Sequence, residues 1–128
     1  MPATRIETRR GWVGARRAEL LQAVQRALVE GIRIPEDDRN IRLVEYEKDC
    51  FLVPPDAGEG FLSIEVTLIA GRTLEAKRRL YAALVREMAA FGVEPRDVRV
   101  ILIEPPAQNW GVSGRPASEV DLGFAIEV

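Results

Sequence analysis

The run FLSIEVTLIAGRTLEAKRRLYAALVREMAAFGVEPRDVRVILI, residues 61–103, holds a complete strand–helix–strand unit. Leu62, Ile64, Val66 and Leu68 alternate with Ser63, Glu65 and Thr67, the pattern of a strand with one buried face. Leu80, Tyr81, Leu84, Val85 and Met88 then recur at helical spacing, which predicts a helix from about Thr73 to Ala90. Gly92 ends it and Pro95 falls in the following turn. Val98 to Ile103 is a nearly continuous apolar strand, and such a run implies burial on both faces. A helix between two strands in so short a unit makes the strands parallel.

Upstream the same plan is written once more. Ala3 to Thr8 alternates around Ile6, and Gly11 to Gly14 breaks the pattern. Leu20, Leu21, Val24, Ala27 and Leu28 predict a helix from about Ala15 to Glu30, with Gly31 as its stop. Ile34-Pro35-Glu36-Asp37-Asp38 reads as a turn, and a strand follows over about Asn40 to Glu47. Ile6 and Val66, Leu20 and Leu80, Val24 and Leu84, Leu28 and Met88, and Pro35 and Pro95 are each sixty positions apart. The reading is a duplicated β-α-β unit within one domain spanning residues 1–128, its halves at about 2–47 and 61–104. This predicts an α+β, two-layer fold, with a four-stranded mixed sheet and both helices on one face. The other face is then apolar and uncovered, which implies an oligomer. Residues 49–60 read as a loop. Residues 105–128 read as a loop followed by a strand over Val120 to Val128, available to a neighbouring subunit's sheet edge.

Composition excludes several classes of function. The chain has 128 residues with 18 Lys and Arg against 20 Asp and Glu, a net charge of −2. There is no basic field to draw nucleic acid, and the cluster Arg9, Arg10, Arg16 and Arg17 reads as a solvated face. No apolar run is long enough to span a membrane. The single cysteine, Cys50, rules out an intrachain disulfide, and the first residues lack the apolar core of a signal peptide. The cytoplasm is the expected compartment. Histidine is absent altogether. That removes Ser-His-Asp and Cys-His catalysis together with the commonest metal ligand, so no metal or other cofactor is expected. Acid–base chemistry near neutral pH then falls to a shifted carboxylate, lysine, tyrosine or amine.

Pro2 follows Met1 directly. Methionine aminopeptidases remove Met before small residues, proline included, and this would leave a free prolyl amine. Inside a peptide the proline nitrogen is an amide with no basic lone pair; at a chain terminus it is a secondary amine. A free α-amine titrates near 8, and an apolar pocket with a cation nearby lowers that towards neutrality.

The start at Met1-Pro2, the turn Ile34 to Arg39, Ala70-Gly71-Arg72-Thr73 ahead of the second helix, Asn109-Trp110-Gly111 and Asp121-Leu122-Gly123-Phe124 appear in an order and spacing that resembles the tautomerase superfamily. The resemblance covers essentially the whole chain. It is nearest the longer, fused members related to malonate semialdehyde decarboxylase and cis-chloroacrylic acid dehalogenase. It implies that Pro2 is the catalytic base and that Arg72 holds a substrate carboxylate, a role suited to the two parallel hydrogen bonds a guanidinium offers. Asp38 falls where the decarboxylases keep an aspartate beside the proline to orient water; as a residue type it also suits the turn itself. Trp110 would be a pocket wall, or a contact between subunits.

Departures from the pattern narrow the reaction. Ala70 stands where the decarboxylase has a second arginine. Ile69, Ile101 and Val112 stand where the dehalogenase pattern has arginine, tyrosine and glutamate, and its helix histidine is missing. Keto–enol proton transfer on a small 2-keto acid, without a cofactor, asks least of the site and is the expected activity. Decarboxylation or hydration of a small 3-oxo or unsaturated acid is the alternative, and a non-catalytic oligomeric binding protein of the same fold is a third reading. The resemblance also implies a homotrimer.

Overall fold

A computed structural model describes residues 1–128. The strand–helix–strand units form as the periodicity predicts: β1 (Ala3–Arg9), α1 (Arg17–Ile32) and β2 (Ile41–Tyr46), then β3 (Leu62–Thr67), α2 (Leu74–Ala89) and β4 (Val98–Ile103). The sheet order is β2-β1-β3-β4. β1 is parallel to β2 and β3 is parallel to β4, while β1 and β3 meet antiparallel at the centre. The two halves are therefore related by a turn about the β1–β3 seam, where Ile6 lies opposite Ile64.

Both helices cover one face. Ile6, Leu62, Ile64 and Val66 of the sheet close against Leu20, Val24, Leu28 and Ile32 of α1 and Leu80, Leu84 and Met88 of α2, all of them fully buried. Each large side chain so buried stabilises the fold by about 1.5–3 kcal/mol before entropy is counted. No helix is long and apolar enough to cross a membrane.

Four expectations change. The halves do not keep one spacing: β1 and β3 start 59 positions apart, whereas α1 and α2, and β2 and β4, start 57 apart, although Leu20 and Leu80, Val24 and Leu84, and Leu28 and Met88, sixty apart, are buried alike. A helix repeats its face every 3.6 residues, so a match shifted by nearly a turn looks almost as good in sequence. Gly31 does not stop α1. The helix runs on to Ile32 and ends at Arg33, whose φ is 59°. Gly31 instead lets the helices touch, because a Cβ there would lie 2.5 Å from the Leu80 Cα. The uncovered face is also less apolar than expected. It presents Arg5, Glu7, Arg42, Ser63, Glu65, Thr67 and Arg99, and its exposed apolar residues are concentrated on β4, at Ile101 and Ile103, 53% and 43% exposed. The second buried face predicted for β4 is thus open in the single chain. Lastly, Val120 to Val128 is not a strand. A strand needs an edge to pair with, and within one chain this segment pairs with none; the only later pairing is a two-residue ladder, β5 (Gly111–Val112) with β6 (Arg115–Pro116).

The contact at Gly31 is testable. Alanine favours helix over glycine by about 1 kcal/mol, yet its methyl group would press on backbone, and overpacking costs about 1–3 kcal/mol. Gly31→Ala is expected to lower stability by about 1–2 kcal/mol on balance, read as an earlier denaturant midpoint.

Candidate functional site

The antiparallel seam sets Ala3 opposite Thr67, so the residues before β1 lie beside those that follow β3. Beyond Thr67 the backbone stays paired with the chain after β4. Leu68 N–H donates to the Ile103 carbonyl and Ala70 N–H to the Pro105 carbonyl, each at 2.9 Å. Gly71 then turns at φ +132°, where a Cβ would come within 3.0 Å of the Ile126 side chain. Thr73 caps α2, its hydroxyl accepting from Ala76 N–H at 3.1 Å. Between this turn and this cap, Arg72 is directed inward and is only 6% exposed.

The environment of Arg72 is unusual for a guanidinium. Nη1 donates to the Ile69 carbonyl at 3.4 Å. Nε and Nη2, which form one edge of the planar group, are buried and have no partner. Phe124 lies against the cation, with its ring centroid 5.9 Å from Cζ. Burial lowers the Arg72 pKa and the Glu104 carboxylate opposes that shift; Glu104 is itself paired with Lys77 at 2.9 Å. A buried donor edge without an acceptor is costly, and a carboxylate is the group whose two oxygens match it.

Across from Arg72 is the chain's terminal amine. In the full chain it belongs to Met1, and its ammonium pairs with the Asp38 carboxylate. Pro2 is buried immediately behind it. The amine's pKa is pushed down to about 5, first by loss of water and second by the Arg72 charge. Asp38 favours the protonated form, but burial and Arg72 outweigh it. Asp38 reaches the amine from the turn before β2, where its N–H donates to the Pro35 carbonyl at 3.1 Å. Its turn role and its place beside the amine therefore coexist.

Three of the four residues singled out in the sequence thus meet at one end of the sheet: Pro2, Asp38 and Arg72. No hydrogen bond joins Trp110 to them. It sits half-buried at the start of the short β5–β6 hairpin, its carbonyl accepting from Ala117 N–H at 2.7 Å and its indole N–H making no hydrogen bond. The aromatic residue on Arg72 is Phe124, which nothing in the spacing marks as its partner. Sequence reasoning also passed over Gln25, a buried amide on α1 whose Nε2 donates to the Asp38 carbonyl at 3.1 Å. No three Cys, Asp or Glu side chains converge as a metal site requires.

Known proteins resemble this chain in sequence and in fold. The family profile described as "Tautomerase enzyme" matches residues 38–113. A probable tautomerase of Ralstonia nicotianae is 50% identical over 56 residues, which are 43% of this chain and 80% of that one. A fused 4-OT, solved as an asymmetric trimer, superposes with a TM-score of 0.82 at 27% identity, over 95% of this chain and 99% of that one. FG41 malonate semialdehyde decarboxylase inhibited by 3-bromopropiolate superposes with a TM-score of 0.80 at 28% identity, over 97% and 98%.

A depressed amine pKa has a direct readout. The folded amine titrates near 5 against an ordinary value of 8.0, so the unfolded chain binds more protons between those values. This group therefore makes stability rise with pH across that window. In a preparation that retains Met1 the amine is expected to acylate as the free base near pH 7. Arg72→Met removes the second cause of the shift and should move the titration midpoint up towards 8, without reaching it because burial remains; this is measured from the pH dependence of labelling.

Proposed function

The chain belongs to the tautomerase family, and on that premise we propose that it catalyses keto–enol proton transfer on a small 2-keto acid, with Pro2 as the base once Met1 has been removed. The observation that carries this reading is the buried, unpartnered Nε–Nη2 edge of Arg72 beside an amine whose pKa is depressed. One group suits a carboxylate and the other suits a proton, and they lie together. With Met1 removed, the prolyl nitrogen becomes the amine at this end of the sheet.

In the forward sense the Pro2 nitrogen takes the proton from the enol oxygen. The electrons move into the carbon framework as the carbonyl forms, and the protonated amine returns the proton to carbon. No atom is gained or lost, and no cofactor is required. Arg72 holds the carboxylate by two parallel hydrogen bonds and stabilises the negative charge that develops on the dienolate. Phe124 and the C-terminal segment keep water from that contact, which strengthens it. A base whose pKa is pushed below 7 is largely unprotonated at neutral pH, as the first step requires.

Asp38 beside the amine favours a second reading, decarboxylation or hydration of a small 3-oxo or unsaturated acid, with Asp38 directing water. The similarity to malonate semialdehyde decarboxylase points the same way. Assays with phenylpyruvate enol, hydroxymuconate-type dienols and malonate semialdehyde separate the two. For assembly we propose a homotrimer that covers Ile101 and Ile103 on β4, as the likeness to a trimeric fused 4-OT suggests.

Two experiments decide these points. Mass spectrometry is expected to find Met1 absent, and Pro2→Ala, which substitutes a primary amine of different geometry, should lose most turnover while remaining folded. In parallel, Arg72→Ala should lower kcat/KM for a carboxylate substrate by about 2–4 kcal/mol and affect the neutral ester far less; equal losses on both would remove the carboxylate role. Light scattering should give about three times the 14.3 kDa chain mass, and a folded, active monomer would exclude the trimer.

A further inference from the structure

Gln25 is a polar side chain in an apolar place. The other buried residues of α1 are Leu20, Ala23, Val24, Ala27, Leu28, Gly31 and Ile32, yet Gln25 is only 6% exposed among them. Its Nε2 donates to two carbonyls, Glu36 at 3.3 Å and Asp38 at 3.1 Å. Its Oε1 is buried and has no partner, so the amide is kept at a cost to stability. The fold itself does not require such an anchor. In the second half α2 buries only Ala76, Leu80, Ala83, Leu84 and Met88, and the turn before β4 is held differently, by the Gly58 N–H donating to Asp97 at 3.1 Å.

The two carbonyls that Gln25 holds flank Asp37, within the turn that carries the Asp38 carboxylate to the terminal amine. The other ties within this turn are local to it, Asp38 N–H to Pro35 at 3.1 Å and the exposed Arg39 Nε to the Glu36 carbonyl at 3.4 Å, whereas Gln25 reaches it from α1. We propose that Gln25 is a positioning residue, which fixes the turn so that Asp38 faces the amine and thereby sets the amine's basicity. Its effect on turnover rests on the function proposed above, whereas its effect on the amine does not. The charged groups around the amine are Asp38 and Arg72, with Glu104 and Lys77 behind Arg72. Only Asp38 is carried by the turn that Gln25 holds.

The test is a double-mutant cycle read on the terminal amine of the protein as isolated, which is Pro2 where Met1 has been removed, by the pH dependence of its labelling. Asp38→Asn removes a carboxylate that favours the ammonium, so the titration midpoint should fall by about one pH unit. Gln25→Met, close in size but without donors, should shift it in the same direction, and should add nothing in the Asp38→Asn background. Gln25→Leu, likewise uncharged and without donors, repeats the test if the methionine variant is too unstable to titrate. An unchanged midpoint in a folded Gln25 variant, or additive shifts in the double variant, overturns the proposal. Turnover is followed separately: a shifted midpoint with unchanged kcat upholds the hold of Gln25 on Asp38 and removes Asp38 from the proposed reaction instead.

Discussion

Everything at the site depends on β1 being a central strand. A chain terminus ordinarily frays, because little packs against it. Here the first residues enter a ladder on both sides, with β2 parallel and β3 antiparallel, and the amine is fixed beside the exit from β3. Arg72 lies five residues beyond Thr67 on that exit, with its backbone path pinned by the Ile103 and Pro105 carbonyls. Two groups that are cationic in water are thus held together where water is scarce. Keeping both charged would cost several kcal/mol in desolvation and repulsion. The arginine cannot readily give up its proton; the amine can, and its pKa falls accordingly. The basicity of the amine is a consequence of strand order.

The sheet and helices were legible because both halves carry clean periodicity. β4 was placed to the residue, and α2 to within one residue at each end. What the pattern could not convey was phase and contact. Sliding one half by most of a turn preserves the apolar face of a helix, so a single repeat distance of sixty came out where the elements start 59 or 57 apart. Gly31 carries a helix-stop signal in its residue type, yet its function is contact with Leu80 across the helix pair, and contacts between elements leave no local trace. The terminal segment was read as a strand from its alternating residues, but alternation states a readiness to pair and supplies no partner.

At the site, the chemistry of the residue types was readable and their surroundings were not. Arg72 could be located between a strand and a helix cap from Gly71 and Thr73. That its Nε–Nη2 edge would be buried and free, with Phe124 against the cation, depends on a segment fifty residues away folding back. Gln25 was invisible for a different reason. A glutamine within an amphipathic helix reads as part of the wet face, and only the turn packed above it reveals that its donors are used inward.

Under the function proposed here, the duplication explains why the chemistry is on one side only. The second half repeats much of the frame: a buried carboxylate, Asp97, immediately before β4, a nitrogen ahead of β3 that donates to it, and an arginine leading into the helix, Arg16, lying 5.0 Å from the Phe91 ring. These residues line a cavity of about 190 Å³ with Trp12 and the Gly58–Gly60 loop. The nitrogen there, however, is the Gly58 amide. Its lone pair is delocalised into the peptide bond, so it can satisfy Asp97 as a donor and cannot accept a proton. Arg16 in turn spends a donor on the Trp12 carbonyl at 3.4 Å and is half-exposed, where Arg72 keeps one edge dry and unpaired. A fused repeat can copy the strands, the carboxylate and the cation, but a base made from a backbone nitrogen needs the end of a chain. Under the function proposed here, each subunit therefore has one working site and one structural counterpart, and the counterpart was free to exchange reactivity for a hydrogen bond that holds its loop.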